Sequence, residues 1–242
     1  MIKKLDIGVV GTGHLGKLHT KMFKEIENCN LVGINDSNIE QAKVVGKEFD
    51  VNVFESINDL LNQVDAVSIA ATTIAHYDLA KMCLNAGKHI FIEKPITATI
   101  PQAEEIVELA DSLNLNVQVG HIERFNPALV SMEKYINDPK FIQTDRLAQF
   151  NPRGTDVAVV LDLMIHDIDI ILSLIKSKVE SIEASGVARS FLLIPVSIRS
   201  CSSRQPRREP RRVMIIRSPN LILRFPLLEV TRPCVKRSRP TV

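Results

Sequence analysis

The sequence predicts an α/β fold, in which a doubly wound parallel sheet is followed by an incomplete α+β domain. Up to about residue 120, short apolar runs alternate with amphipathic segments of helical period, as in the strand–helix–strand units of parallel sheets. Beyond Gly120 the pattern changes to a helix, a longer half-polar strand and a strongly apolar helix. We therefore expect one domain over residues 1–120, a partial second domain over 121–188 and an atypical tail over 189–242.

The order of elements follows from the apolar pattern and from the residues that start and stop helices. In the first domain, strands are predicted over residues 5–10, 31–34, 51–54, 66–70, 90–92 and 116–119. Helices are predicted over residues 15–27, 39–48, 56–62, 75–85 and 100–113. Gly87 is a normal stop for the fourth helix, and Pro101 suits the first turn of the fifth. In the second domain, the pattern predicts helices over residues 127–136 and 157–175 and strands over 141–150 and 179–187.

Composition narrows the class of protein. With 242 residues, 45% of them hydrophobic and 24% charged, the chain resembles an ordinary globular protein. No apolar run approaches the roughly 18 residues that span a membrane, and the N-terminus lacks the apolar core of a signal peptide. The four cysteines have no paired spacing, so neither a disulfide framework nor a metal site is indicated. We expect a cytoplasmic protein without a membrane partner.

Charge and composition change abruptly near residue 189. Residues 1–188 hold 17 Lys+Arg against 26 Asp+Glu, whereas residues 189–242 hold 13 against 2. Three interpretations stay open: the translation of a shifted reading frame, which we favour, a basic arm that contacts nucleic acid or anionic surfaces, or an irregular folded region. The tail contains two short apolar runs, but Pro219 and Pro226 are expected to interrupt any sheet that these runs build.

A glycine-rich turn follows the first predicted strand and opens a helix. Its residues are Gly11, Thr12, Gly13, His14, Leu15 and Gly16. Gly11 permits the tight turn, Gly13 lets the backbone approach a pyrophosphate, and Gly16 allows close packing of helix on strand. Amides at the helix N-terminus would hold the phosphates. The pattern predicts a Rossmann dinucleotide site, and the alternative is a tight turn without a nucleotide.

Asp36 is the acid that such a site requires. It closes the second strand, 20 residues after Gly16, where a carboxylate can accept hydrogen bonds from the adenosine ribose. Ser37 and Asn38 follow it, so no arginine stands there to receive a 2′-phosphate. The sequence therefore favours NAD as cofactor, with NADP possible if a basic residue from elsewhere in the chain reaches that phosphate.

Lys94 lies at the end of a predicted buried strand. The apolar run 90–92 stops at Glu93 and Lys94, and Pro95 cannot continue a ladder of hydrogen bonds. In open parallel sheets, ligands bind beyond the carboxyl ends of the strands. This position makes Lys94 a candidate for chemistry.

A second group of polar residues lies in the apolar helix predicted over 157–175. Asp162 and His166 are four residues apart, so they should share one side of that helix, and Asp169 continues this side three residues later. Polar side chains on such a helix need partners when they are buried. The alternative for His166 is a core histidine that is paired with Asp162 or Asp169.

Four segments carry a resemblance to a known family: residues 11–16, 72–76, 93–95 and 162–169. Their order and spacing resemble the Gfo/Idh/MocA family of NAD(P)-dependent dehydrogenases of sugars, cyclitols and sugar derivatives. The resemblance rests chiefly on residues 86–95 and 162–169, and it extends from residue 5 to about residue 188. It implies hydride transfer between a nicotinamide cofactor and a secondary hydroxyl of a carbohydrate or nucleotide-sugar substrate. It also implies homo-oligomers built on a C-terminal sheet, which the tail replaces here.

The same resemblance assigns roles to single residues. Lys94, Asp162 and His166 would surround the reacting carbinol. His166 is our first choice as general acid/base, because an unperturbed imidazole titrates near neutrality. Lys94 would stabilise the developing alkoxide, although these two roles could be exchanged, and Asp162 would orient the substrate. The other predicted cofactor contacts are Thr72, His76, Glu93 and Lys94 itself. For the loop at 72–76, helix capping by Thr73 is the alternative.

Arg124 is the candidate for contact with the remainder of the substrate. Residues 120–127 resemble a segment of family members that act on nucleotide sugars such as UDP-N-acetylglucosamine. Arg124 could bind a substrate phosphate through two hydrogen bonds, or simply bridge the two domains. His14 and His19 are interpreted as structural or surface residues of the first helix.

Two other functions compete with a dehydrogenase. A sensor, or a catalytically impaired nucleotide-binding protein with a truncated C-terminal domain, would keep the glycine turn without needing Lys94 or His166, and both are present. A nucleic-acid-binding protein would depend on the tail alone, which lacks interleaved aromatic residues and any folded basic motif. We therefore expect no specific nucleic-acid partner.

Overall fold

The computed structural model describes residues 4–137, 139, 141–146, 158–175, 177–179, 182–186, 212–218 and 221–227. The chain divides into two compact units, the first ending at His121 and the second beginning at Ile122. No helix among the described residues is both long and apolar enough to cross a membrane.

The first unit is built on a five-stranded parallel sheet with the strand order β2-β1-β3-β4-β5. Its strands are β1 (Leu5–Val10), β2 (Cys29–Asn35), β3 (Ala66–Ile69), β4 (His89–Ile92) and β5 (Val117–Val119). The strand predicted over residues 51–54 is reduced to a single bridge between Val53 and Ile34, so that prediction is wrong. The bridge consists of the Ile34 amide donating to the Asn52 carbonyl and the Phe54 amide donating to the Ile34 carbonyl.

Five helices connect these strands: α1 (His14–Glu25), α2 (Ile39–Phe49), α3 (Ile57–Leu61), α4 (Thr73–Asn85) and α5 (Ile100–Leu113). Local side chains set their ends. The Asn38 side chain accepts a hydrogen bond from the Gln41 amide at the start of α2. Asp50 and Asn114 take the left-handed conformation that ends α2 and α5, and Gly87 does the same just beyond α4.

The strand order places a topological switch between β1 and β3. The chain leaves β1 toward β2 on one side, and then returns to add β3 on the other side. The loops that follow β1 and β3 therefore lie next to each other at the carboxyl edge of the sheet, where doubly wound proteins bind their ligands. The predicted α/β, doubly wound fold class is confirmed.

Both faces of this sheet are covered. Val9 and Val10 are successive residues of β1, so their side chains point to opposite faces. Val10 belongs to a cluster with Leu84 of α4 and Ile106 of α5, while Val9 packs with Val45 of α2. Burial on both sides explains why the strands read as continuous apolar runs rather than as alternating ones.

The second unit contains helices and a mixed four-stranded sheet. In chain order its elements are a 3₁₀ helix (Ile122–Phe125), α6 (Pro127–Glu133), β6 (Phe141–Asp145), a π-helix (Val160–Met164), α7 (Ile165–Leu174), β7 (Glu183–Gly186), β8 (Arg212–Ser218) and β9 (Leu221–Leu227). The strand order is β6-β8-β9-β7, with β6 parallel to β8 and the other pairs antiparallel. Residues 147–150, 157 and 187, at the ends of predicted elements, lie outside the described residues.

The helix predicted over residues 157–175 is not uniform. Its first part is the π-helix, and the amide of Ile165 donates to the carbonyl of Val160, five residues back. A π turn holds more residues than an α turn, so the four-residue spacing of Asp162 and His166 does not repeat at the usual α-helical angle. The expectation that one regular α-helix presents both side chains is therefore wrong.

The two apolar runs of the tail are strands. β8 and β9 pair over seven residues, so the expectation that Pro219 and Pro226 prevent a sheet is wrong. Pro219 lies outside the described residues. Pro226 pairs with Val213 near the end of the β8–β9 ladder, beyond Arg224, where β7 no longer pairs with β9.

Candidate functional site

The glycine turn between β1 and α1 is shaped by three different steric demands. Gly11 has φ +90°, and a Cβ there would lie 2.7 Å from the backbone of Ala70. A Cβ on Gly16 would lie 1.8 Å from the carbonyl oxygen of Gly11. In contrast, a Cβ on Gly13 would meet no atom within 4 Å. Two glycines are thus required by the fold, and the third leaves an open space beside the backbone.

Asp36 is bonded directly to this turn. Its Oδ2 accepts hydrogen bonds from the Thr12 amide at 2.6 Å and from the Thr12 hydroxyl at 2.9 Å. Its Oδ1 accepts a bond from the Asn38 amide at 2.8 Å. Burial alone would raise the pKa of Asp36, but the bonds from Asn38 and Thr12 outweigh it and hold the pKa below the ordinary value of 3.8. The side chain is ionised at neutral pH and held in one orientation.

A cavity of about 530 Å³ opens at this edge of the sheet. Six of the predicted cofactor residues line it: Gly11, Gly13, His14, Leu15, Asp36 and Thr72. Ile57, Ala71 and Leu79 add apolar surface. The volume suits a small-molecule site, which is typically about 300–1,000 Å³. Thr12 and Gly16 are buried behind the wall, where they support the turn.

His76 is placed differently from the sequence-based expectation of a cofactor contact. It is only 1% exposed, and the cavity is lined by Thr72 rather than by His76. Its Nδ1 lies 2.9 Å from the carbonyl oxygen of Pro95, and its Nε2 lies 3.1 Å from that of Ala71. His76 therefore joins the loop after β3 to the turn after β4. Thr72, rather than Thr73, is the N-cap residue of α4.

Lys94 follows β4 and is half-buried. The peptide bond between Lys94 and Pro95 is cis. The preceding residue, Glu93, has its amide bonded to the carbonyl of Ile69 at the end of β3. Lys94 thus stands at the carboxyl end of the strand next to β3, on the same sheet edge as the cavity.

His19, which the sequence suggests is a structural or surface residue, makes two polar contacts within the first unit. Its ring lies between Ser68 of β3, at 2.8 Å from Nδ1, and Glu93, at 3.0 Å from Nε2. The sequence signal for these contacts is the position of His19 on α1. It follows Gly16 by three residues, so it lies near the helix face of Gly16, which packs on the sheet. That spacing alone does not distinguish a polar network from ordinary packing.

Arginine–aspartate ion pairs connect elements of the second unit. Arg124 donates from Nε and Nη2 to both carboxylate oxygens of Asp169, at 2.6 and 2.5 Å. Arg146 does the same to Asp167, at 2.8 and 2.9 Å. Hydrogen bonding to these carboxylates raises the pKa of each arginine. Both aspartates are buried, so the pairs tie α7 to the 3₁₀ helix and to the residue after β6.

These pairs change the interpretation of Arg124, which was predicted to reach a substrate phosphate. Two of its donors are used by Asp169 within the same unit. Asp162 lies in the π-helix and His166 at the start of α7, also in the second unit. Lys94 and the cavity belong to the first unit. Among the described residues, no three His, Cys, Asp or Glu side chains converge as metal ligands would.

Residues 5–121 match the Gfo/Idh/MocA family, described as an oxidoreductase family with an NAD-binding Rossmann fold. A UDP-N-acetylglucosamine 3-dehydrogenase from Acidithiobacillus ferrooxidans is 38% identical over 182 residues, covering 75% of this chain and 58% of that protein. An inositol 2-dehydrogenase/D-chiro-inositol 3-dehydrogenase from Halalkalibacterium halodurans is 30% identical over 205 residues, covering 79% of this chain and 58% of the relative.

Solved structures of dehydrogenases with similar names also superpose on this chain. The Acidithiobacillus ferrooxidans UDP-N-acetylglucosamine 3-dehydrogenase superposes with a TM-score of 0.73 at 37% identity, over 77% of this chain and 62% of that one. Apo scyllo-inositol dehydrogenase from Lactobacillus casei superposes with a TM-score of 0.70 at 28% identity, over 78% and 60%. The chain thus spans about 60% of the length of the relatives it matches.

Proposed function

Because residues 5–121 belong to the Gfo/Idh/MocA family of oxidoreductases, we propose that the chain is an NAD-dependent dehydrogenase of a secondary hydroxyl on a sugar, cyclitol or nucleotide sugar. The observation that carries this proposal is the cavity between the glycine turn and Asp36. Relatives named for UDP-N-acetylglucosamine and for inositols support the substrate class.

The residues of the cavity fit NAD. The open space beside Gly13 admits a pyrophosphate against the backbone, and α1 begins at His14 with its amides directed to the same place. Asp36 keeps acceptor capacity toward ribose hydroxyls, because each carboxylate oxygen can accept more than one bond. Ser37 adds no positive charge for a 2′-phosphate, so NAD is preferred over NADP.

The chemistry then divides among the chain's residues. NAD supplies a hydride acceptor at its nicotinamide ring when it is bound. Lys94 would donate a hydrogen bond to the substrate oxygen and stabilise negative charge that develops there. His166 would take the hydroxyl proton as general base, and Asp162 would hold a neighbouring hydroxyl. Thr72 would contact the cofactor, while Arg124 would offer its remaining donors to a substrate phosphate.

The decisive experiment separates cofactor binding from turnover. Calorimetry measures the Kd for NAD, and absorbance at the reduced nicotinamide measures turnover with UDP-N-acetylglucosamine, myo-inositol and a free sugar. Lys94→Ala and His166→Ala should leave the Kd within about threefold and lower kcat by about 100-fold or more. Lys21→Ala, which removes an exposed lysine of α1, is the matched control. Unchanged turnover in both test variants would refute the assignment.

A second candidate function is a nucleotide-binding protein with impaired catalysis. It is favoured by the change of composition near residue 189. NAD binding without turnover on any of the three substrates would select it. Sequencing the encoding DNA around the Arg189 codon tests whether a shifted reading frame produced the tail. A cytoplasmic location and the oligomeric state stay predictions, which cell fractionation and light scattering test.

A further inference from the structure

Ser68, His19 and Glu93 form a line of hydrogen-bonding groups through the first unit. Ser68 is fully buried within β3, and the His19 and Glu93 side chains are only 15% and 12% exposed. The distances are 2.8 Å from Ser68 Oγ to His19 Nδ1 and 3.0 Å from His19 Nε2 to Glu93 Oε1. The rings of Phe23 and Phe91 pack edge-on against His19 and hold its ring plane.

Chemistry determines which nitrogen of His19 carries the proton. An ionised carboxylate only accepts hydrogen bonds, so Nε2 must be the donor to Glu93. Nδ1 makes the bond to the Ser68 hydroxyl, which can either donate or accept. Each group is satisfied in one arrangement, and the ring cannot turn over without losing both bonds. His19 therefore holds the Glu93 carboxylate from one side.

Glu93 is restrained on its other sides as well. Its Oε2 lies 3.3 Å from the amide of Lys94, the next residue, which donates to it. A Cβ on Gly120 would lie 3.0 Å from Oε1 and 3.3 Å from Oε2, so the backbone after β5 packs closely on the carboxylate. The carboxylate thus connects His19 to the backbone from which the Lys94 side chain projects.

From these contacts we infer that His19 is a positioning residue, which sets the placement of Lys94 by fixing Glu93. The inference rests on the proposed function of Lys94. The line from serine to histidine to carboxylate does not make Ser68 a nucleophile, because its hydroxyl is buried in the sheet, where no substrate reaches it. Catalytic side chains must be held within fractions of an ångström, so a bond to the preceding residue affects the rate.

Two substitutions separate the two bonds of His19. The amide nitrogen of His19→Gln reaches about as far as Nε2 and keeps the bond to Glu93. His19→Asn is shorter and reaches Ser68 only. We expect His19→Asn to lower kcat about tenfold, whereas His19→Gln stays within about threefold of the wild-type kcat. Phe23→Leu, which trims packing against the ring without touching a hydrogen bond, is the control for lost stability.

The outcomes are separable from those of the proposed function. Equal kcat values for the His19→Asn and His19→Gln variants would overturn the inference. A loss of kcat in proportion to the drop in unfolding temperature, as in the Phe23→Leu control, would also overturn it. If the wild type turns over none of the substrates, the proposed function fails first. In that case, the positioning role is tested by the rate at which dilute acetic anhydride modifies Lys94. Peptide mass spectrometry measures this rate relative to that of the exposed Lys21. A rate altered in His19→Asn and restored in His19→Gln supports the positioning role, and equal rates in all three proteins refute it.

Discussion

Alanine at each of the three glycines of the β1–α1 turn should separate binding from folding. A Cβ at position 13 meets no protein atom within 4 Å, so Gly13→Ala adds a methyl group only to the space that the pyrophosphate would occupy. The loss of a favoured N-cap residue and the gain from a stiffer unfolded chain nearly cancel, and we expect a stability change within about 1 kcal/mol. The affinity for NAD should fall about tenfold to 100-fold, or about 1.4–2.8 kcal/mol.

Gly16→Ala should have the opposite effect. Its Cβ would start 1.8 Å from the Gly11 carbonyl oxygen, and real Cβ contacts essentially never fall below 3.0 Å. Helix α1 must therefore retreat from the turn by more than about 1 Å, a form of overpacking that typically costs about 1–3 kcal/mol. For a unit of this size the unfolding temperature should drop by roughly 4–12 °C.

The assay combines thermal unfolding with NAD titration by calorimetry, and Gly11→Ala serves as a second folding-defective reference. Its Cβ would lie 2.7 Å from the Ala70 backbone, and its φ of +90° disfavours any side chain. The reasoning fails if Gly13→Ala unfolds at as low a temperature as Gly16→Ala. It also fails if Gly13→Ala binds NAD as tightly as the wild type.

Three further predictions concern charges and burial. Asp36 has a lowered pKa in the folded state, so its contribution to stability is present above pH 3.8 and is lost as the pH falls through the folded-state value. The urea midpoints of the wild type and Asp36→Asn should therefore converge in acid, and a difference that persists there would contradict this. Arg146→Gln should lower the unfolding free energy by about 2 kcal/mol and Arg124→Gln by about 1 kcal/mol, because the Arg146 side chain is 28% exposed and the Arg124 side chain 48%. Equal losses in urea titrations would refute this ranking. Burial raises the pKa of the Cys83 thiol to about 12, so iodoacetamide at pH 8 should modify Cys29 while leaving Cys83 intact, and rapid labelling of Cys83 would show that it is accessible.

The first unit could be predicted closely because its signals are local and agree with one another. Strand Leu5–Val10 and helix Ile100–Leu113 begin and end at the predicted residues, since apolar runs and turn residues mark both boundaries. The glycine turn and Asp36 have a fixed spacing along the chain, so the cavity that they line was also predictable. The single bridge at Val53 was not predictable, because it depends on pairing with Ile34 of β2, which is distant in sequence.

The second unit was harder for reasons of geometry. An unbroken apolar run does not show whether each backbone amide donates to the carbonyl four or five residues earlier. The π-helix at Val160–Met164 could therefore not be inferred. The partner of Arg124 lies 45 residues away, and no short-range pattern connects it to Asp169. The proline expectation failed for β9 because Pro226 lies one residue before the end of the strand, where β8 pairs with it but β7 does not.

The bonds between Thr12 and Asp36 also bear on redesign of the cofactor preference. A designer who seeks NADP would replace Asp36 by a small residue to admit the 2′-phosphate. In this chain that change removes the acceptor of both the amide and the hydroxyl of Thr12, which is fully buried. Two orphaned donors in the turn cost about 1–3 kcal/mol each. A switch of cofactor would therefore require a paired substitution at position 12, because the carboxylate that is proposed to bind the ribose also supports the loop that contains Thr12.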